Sequence, residues 1–177
     1  MVVADSRANA VRYYFAIKDY IKNHPEESAG CDVMVAFSGE VKLEEMPMEK
    51  PFTEATMNLD EKGKYITSDK KFREVFHSDK YNILVVANKY QTGFDEPLLH
   101  TMVVDKKLKG VKAAQTLSRL NRTYPGKTDT FVLDFINSME DIQSAFQPFY
   151  QETMLESEVN TDLLYQVQHD LRGYSEI

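Results

Sequence analysis

The chain has 177 residues, 42% of them apolar and 28% charged, with a net charge of −7. That length suits one ordinary domain with a real core, and the composition excludes a disordered or fibrous chain. No apolar run approaches the roughly 20 residues that cross a bilayer, and the single cysteine, Cys31, excludes an internal disulfide and fits a reducing cytoplasm, with no membrane partner.

In chain order, short valine-rich apolar runs alternate with helical patterns, the mark of an α/β domain built on a mainly parallel sheet. The expected strands are residues 1–4, 32–37, 83–87, 101–104 and 130–134. Their near-continuous apolar character predicts burial on both faces, and Cys31 is expected to pack in the core beside the second of them. A helix is expected over 7–23, with Pro25 just beyond its end. Residues 40–66 carry mixed charge and are interrupted by Met46-Pro47-Met48 and Pro51, and read as an insertion or long surface loop, with room for a short hairpin. Ser68 caps a helix over 68–76. Gly110 precedes a helix over 111–121, and Ser138 opens another with Glu140 and Asp141 in its first turn, as the helix dipole favours. After Pro148 the chain turns acidic, and Leu163, Leu164, Val167 and Leu171 form a helical stripe that nothing nearby covers. A strand at the first residues suggests a piece of a longer polypeptide. The expected division is 1–150 for the α/β domain and 151–177 for the start of a helical region.

An acidic chain is a poor match for nucleic acid. Charge is unevenly spread, however: Lys106, Lys107, Lys109, Lys112, Arg119, Arg122 and Lys127 follow one another with no acid between them. A charge run is ordinarily a solvated face, yet this one is a local signal for a polyanion.

Two short motifs carry the chemistry. On a helix of 100° per residue, Gln115, Arg119 and Arg122 fall within about 60° of arc, while Leu117 and Leu120 face the other way. Two arginines on one rigid element can bind phosphate and stabilise charge on a transferring phosphoryl group. The other motif is Thr92-Gly93-Phe94-Asp95-Glu96-Pro97, which follows the carboxyl end of an expected strand, where α/β sheets bind ligands. Gly93 permits close backbone approach, and Asp95 offers an acceptor to a sugar hydroxyl or a charged partner. Taken singly, the first motif is an ordinary solvated face and the second an ordinary turn.

Gly126-Lys127-Thr128 imitates the end of a phosphate-binding loop but lacks the glycine five residues upstream, where Asn121 stands. It also joins helix to strand, the reverse of the required order. Lys127 remains a point charge for a polyanion. The four histidines show no metal-ligand spacing, so no metal site is expected. Asp134, ending its strand, is read first as a cap or anchor for the next loop and second as a catalytic acid.

Gly93-x-Asp95-x-Pro97 resembles motif V of superfamily 2 helicases, and Gln115-x-x-Ser118-Arg119-x-x-Arg122 resembles motif VI. More narrowly, residues 83–101, 115–122 and 129–135, with Val2-Val3-Ala4-Asp5-Ser6-Arg7 and Ala36-Phe37-Ser38-Gly39-Glu40, are similar to the motor (R) subunit of type I restriction endonucleases. The resemblance covers about residues 1 to 150. It implies the second RecA-like lobe of the helicase module, a parallel β-sheet flanked by helices with a C-terminal helical extension. It implies ATP and Mg²⁺ held mainly by a first lobe outside this chain, with Arg119, Arg122 and Gln115 completing the catalytic site and Gly93 and Asp95 beside the nucleotide. Lys89, Gln91, Thr92, Ser6 and Arg7 would contact the DNA backbone. The implied partners are double-stranded DNA, the methylase and specificity subunits, and the first lobe and nuclease domain of the same subunit. No Walker A lysine, Walker B acids or nuclease cluster is present, so the isolated chain is expected neither to hydrolyse ATP nor to cut DNA. The second lobe of another superfamily 2 enzyme, or a non-catalytic module that docks a partner subunit, remain as alternatives.

Overall fold

A computed structural model describes residues 1–46, 49–78, 80–90 and 94–156. Five strands form one sheet, all parallel: β1 (Val2–Ala4), β2 (Val33–Phe37), β5 (Ile83–Ala87), β6 (Thr101–Asp105) and β7 (Phe131–Asp134), in the spatial order β2-β5-β1-β6-β7. Helices α1 (Arg7–Asn23), α3 (Asp69–Phe76), α4 (Val111–Leu117) and α5 (Met139–Glu156) flank it. This is the RecA-like α/β arrangement.

Alternation along the central strands explains the two-sided burial. Val33, Val35 and Phe37 pack with Val85, Ala87, Ala10 and Val11 under α1, while Met34 and Ala36 pack with Leu84, Val86, Phe72 and Leu120 on the opposite face. Each strand thus feeds two cores at period two, and each fully buried valine or leucine stabilises by about 1.5–3 kcal/mol. β7 departs from the expectation. It is the outer strand, and Phe131, Val132 and Leu133 are 54%, 41% and 41% exposed, because only β6 pairs with it among the described residues.

Residues 40–66 contain the short hairpin for which the sequence left room, and a helical turn besides. They hold a short antiparallel pair, β3 (Glu40–Val41) with β4 (Phe52–Thr53), and helix α2 (Glu54–Met57). Thr53 and Thr56 form a reciprocal capping box at the start of α2. The segment covers the exposed edge of β2. Asn58 is 2% exposed, and its amide donates to the Val35 carbonyl at 2.8 Å while its oxygen accepts from the Val35 N–H at 2.9 Å. Glu54 accepts from the Phe37 N–H at 3.0 Å. Two side chains therefore supply the pairing that a neighbouring strand would give, and protect the edge.

Cys31 corrects its expectation: it precedes β2 and is only partly buried. Asp134 behaves as expected, with Oδ1 accepting from the Ile136 and Asn137 N–H groups at 2.9 and 2.8 Å. Ser138 and Asp141 cap α5 through hydrogen bonds in both directions, Ser138 N to Asp141 Oδ2 at 3.1 Å and Asp141 N to Ser138 Oγ at 3.2 Å. α5 runs without a break through residue 150. The stripe Leu163–Leu171 lies outside the described residues.

Candidate functional site

Strands β5 and β6 are parallel, so the chain leaving Ala87 must travel the length of the sheet before it starts again at Thr101. The first residues of that crossing are strained. Asn88 and Tyr90 both have φ of 61°, a conformation costly for a bulky tyrosine. Packing holds it: Tyr90 is buried, with its ring 5.4 Å from that of Phe72 and 4.9 Å from that of Phe94. Gln91, Thr92 and Gly93 lie outside the described residues.

Farther along the crossing, the two motifs meet. Arg122 Nε forms an ion pair with Asp95 Oδ1 at 2.9 Å, and Arg119 Nη1 donates to the Phe94 carbonyl at 3.3 Å. The even polar stripe expected on one helix is corrected here. α4 ends at Leu117, a 3₁₀ turn takes over Ser118–Asn121, and Arg122 is already extended, with ψ of 128°. The tighter turn changes the angle between successive side chains, so 100° per residue no longer describes Arg119 and Arg122. Gln115 stands exposed on α4. Arg119 is half-buried rather than aimed freely outward, and its Nε is buried without an acceptor among the described residues. An orphaned buried donor is costly.

The remaining expected residues fall in other places. Ser6 is the N-cap of α1, its side chain accepting from the Asn9 N–H, and Arg7 Nη1 donates to the Ser38 carbonyl at 3.1 Å. Gly39 is required there: its φ is 79°, and a Cβ would stand 2.8 Å from Arg7 Nη1. These residues gather after β1 and β2. Lys89 sits between Glu54 and Asp69, 2.7 and 2.6 Å from their oxygens. Burial opposes its charge, but the hydrogen bonds to Asp69 and Glu54 outweigh that and raise its pKa. Burial raises the Glu54 pKa against the pull of Lys89, while the Lys89 hydrogen bond lowers that of Asp69.

The basic run is acid-free in sequence, and among the described residues two of its seven cations, Lys107 and Arg122, meet carboxylates in space. Lys107 pairs with Asp141 at 2.5 Å, Lys106 hydrogen-bonds Asn88, and Arg122 pairs with Asp95. Lys127 was a candidate polyanion contact. Its ammonium instead donates to the Leu120, Arg122 and Pro97 carbonyls at 2.7, 2.9 and 3.1 Å. The Pro125-Gly126 pair was the signal that could have revealed this, since it turns the chain back under the arginines.

A cavity of about 580 Å³ opens elsewhere, beside the first residues of β1, β5 and β6. Its lining is mostly apolar, and the buried Glu96 there meets the half-exposed His77, Oε2 to Nδ1 at 3.0 Å. Among the described residues, no helix is long and apolar enough to cross a membrane, and no acid, histidine or cysteine cluster could hold a metal ion.

Residues 1–137 match the family model described as type I restriction enzyme subunit R domain 3. The chain is also similar to the "Putative type I restriction enzyme MjaVIIP endonuclease subunit" of Methanocaldococcus jannaschii, 30% identical over 140 residues that cover 77% of the chain and 13% of that protein. It is 26% identical over 157 residues to the type I restriction enzyme HindI endonuclease subunit of Haemophilus influenzae, covering 86% of the chain and 14% of that protein. The chain spans about one seventh of the length of these relatives.

Proposed function

The chain belongs to the type I restriction enzyme subunit R domain 3 family, and from that premise we propose that it is the second RecA-like lobe of an ATP-driven DNA translocase and endonuclease subunit. Arg119 and Arg122 complete an ATP site whose phosphates and Mg²⁺ are held by a first lobe elsewhere in the same protein. Gln115 couples that site to the face between the lobes, and Gly93 and Asp95 stand beside the nucleotide.

The observation that carries this reading is the physical joining of the two motifs. Asp95 holds the Nε side of Arg122, which leaves its two amino groups without an acceptor among the described residues. The Phe94 carbonyl holds one Nη of Arg119, and the neighbouring Nε is a buried donor in want of a partner. An anionic phosphoryl group fits such donors. ATP would supply the phosphoryl chemistry; this chain's part is to hold two guanidiniums in fixed orientation and withdraw them as the lobes part.

Ser6, Arg7 and Lys89, and by their place in the sequence Gln91 and Thr92, are proposed to contact the DNA backbone. Lys89 enters that role already held by two carboxylates, so its share is to fix the strained turn at Asn88–Tyr90 rather than to offer a free charge. The same reading places the protein in the cytoplasm, in a complex with methylase and specificity subunits and with its own first lobe and nuclease domain. Alone, the chain is inactive, because it carries neither a phosphate-binding loop nor nuclease residues.

The test is ATP turnover by the whole subunit. Arg119→Ala and Arg122→Ala should each lower DNA-stimulated turnover by roughly the 10³–10⁵ associated with arginine fingers. Normal turnover in both variants would remove the assignment.

A further inference from the structure

We propose that Lys127 is the positioning residue that sets the two arginines against the Phe94–Pro97 segment. The inference rests on the reading above and adds a residue to it.

The argument begins with a turn. The Lys127 N–H donates to the Tyr124 carbonyl at 3.0 Å, Pro125 occupies the first central position, and Gly126 the second with φ of 84°. These are the requirements of a type II turn, in which a positive φ at the second central residue favours glycine. The turn reverses the chain after Arg122 and brings the Lys127 side chain back beneath the end of the 3₁₀ segment.

There the ammonium meets carbonyls only. It donates to Leu120 and Arg122 on the arginine segment and to Pro97 on the crossing segment. An ammonium has three N–H donors, so all three are used. Two of the carbonyls belong to the end of a helical segment, where unpaired carbonyls and the dipole both favour a cation. The third ties that end to the residue that closes the Gly93–Pro97 motif. Among the described residues no carboxylate pairs with Lys127, so its charge serves backbone alone. The consequence is a fixed distance between two loops that carry Arg122 and its partner Asp95. Neither loop has a regular ladder to hold it.

This role makes a demand on shape as well as charge. A guanidinium is planar and presents its donors in a rigid fork, so it cannot converge on three carbonyls as an ammonium does. A lysine that merely touched a polyanion would be replaceable by arginine. A lysine that positions the arginines would not.

The experiment compares Lys127→Arg, Lys127→Met and Gly126→Ala in the whole subunit that carries this chain, alongside Arg119→Ala and Arg122→Ala. Steady-state ATP turnover is measured with DNA present, giving kcat and KM separately. Lys127→Arg and Lys127→Met should both lower kcat by about 10–100-fold, the scale of a misplacement near 1 Å, with KM for ATP within about threefold of the parent. Gly126→Ala keeps the lysine but strains its turn, and should lower kcat in the same direction. Near-normal kcat in Lys127→Arg overturns the proposal, as does a defect confined to KM. Should Lys127→Met not fold, Lys127→Arg decides alone. Normal turnover in the two arginine variants is a different outcome, which removes the proposed function itself.

Discussion

Arg122 and Asp95 lie 27 positions apart in the chain, and their Nε and Oδ1 atoms are 2.9 Å apart in the fold. The pair joins the segment leaving α4 to the crossing between β5 and β6. Both side chains are more than half exposed, at 51% and 69%, so the pair orients Arg122 and adds little to stability.

Asp95→Ala should therefore separate stability from function. Its unfolding free energy should stay within about 1 kcal/mol of the parent, as expected for an exposed ion pair. ATP turnover of the whole subunit should fall about 10–100-fold, because Arg122 loses the partner that sets its direction. Denaturant melts of the chain and turnover assays of the subunit check the two halves. A variant that is destabilised yet fully active would show that the pair is structural only.

Asn58→Ala should be among the most damaging single changes away from the arginines. It strips the Val35 N–H and carbonyl of their partners at a buried edge, and each unsatisfied group costs about 1–3 kcal/mol. A total loss of about 2–4 kcal/mol is expected in urea unfolding. A loss below about 0.5 kcal/mol would mean that β2 finds another partner for its edge.

Lys89→Met leaves Glu54 buried without its cation, and should cost about 2 kcal/mol, less than a fully buried pair because Asp69 is exposed. Glu54→Gln at the same time should recover part of that loss. If Lys89 carried a free DNA contact instead, Lys89→Met would leave stability intact and reduce the salt dependence of DNA binding.

Much of the fold was legible because the central strands announce themselves. Ile83-Leu84-Val85-Val86-Ala87 is apolar at every position, as a strand covered on both faces requires. β7 reads almost the same in sequence, yet Phe131, Val132 and Leu133 remain partly exposed. An apolar run reports what a strand can bury, and its place in the sheet decides what it does bury. Asn58 and Glu54 were hidden for a different reason. They pair with backbone groups of β2 some 20 positions away, and backbone acceptors leave no trace in residue type. The two arginines were visible by spacing. Their geometry was not, because nothing in Ser118-Arg119-Leu120-Asn121 tells a 3₁₀ turn from one more turn of α-helix, and the bonds from Lys127 act on that stretch from outside it.

The pH dependence of α5 follows from Asp141. Hydrogen bonds from Lys107 and from Ser138 hold its carboxyl down at about 2, below the ordinary 3.8. Because the folded value lies below the unfolded one, the contribution is full above the ordinary carboxylate range and is lost as pH falls through about 2. The melting temperature of the parent minus that of Asp141→Asn should be constant near neutrality and shrink between pH 4 and about 2. A difference that stays constant down to the lowest pH would show that the cap does not depend on charge.

The central claim is that Arg119 and Arg122 are the part of an ATP site that this lobe contributes. The most direct measurement is single-turnover ATP hydrolysis by the whole subunit with DNA bound, comparing parent, Arg119→Ala and Arg122→Ala at saturating ATP. Each alanine variant should bind ATP but hydrolyse it about 10³-fold or more slowly. Hydrolysis at the parent rate in either variant would contradict that arginine's role, and in both would contradict the account.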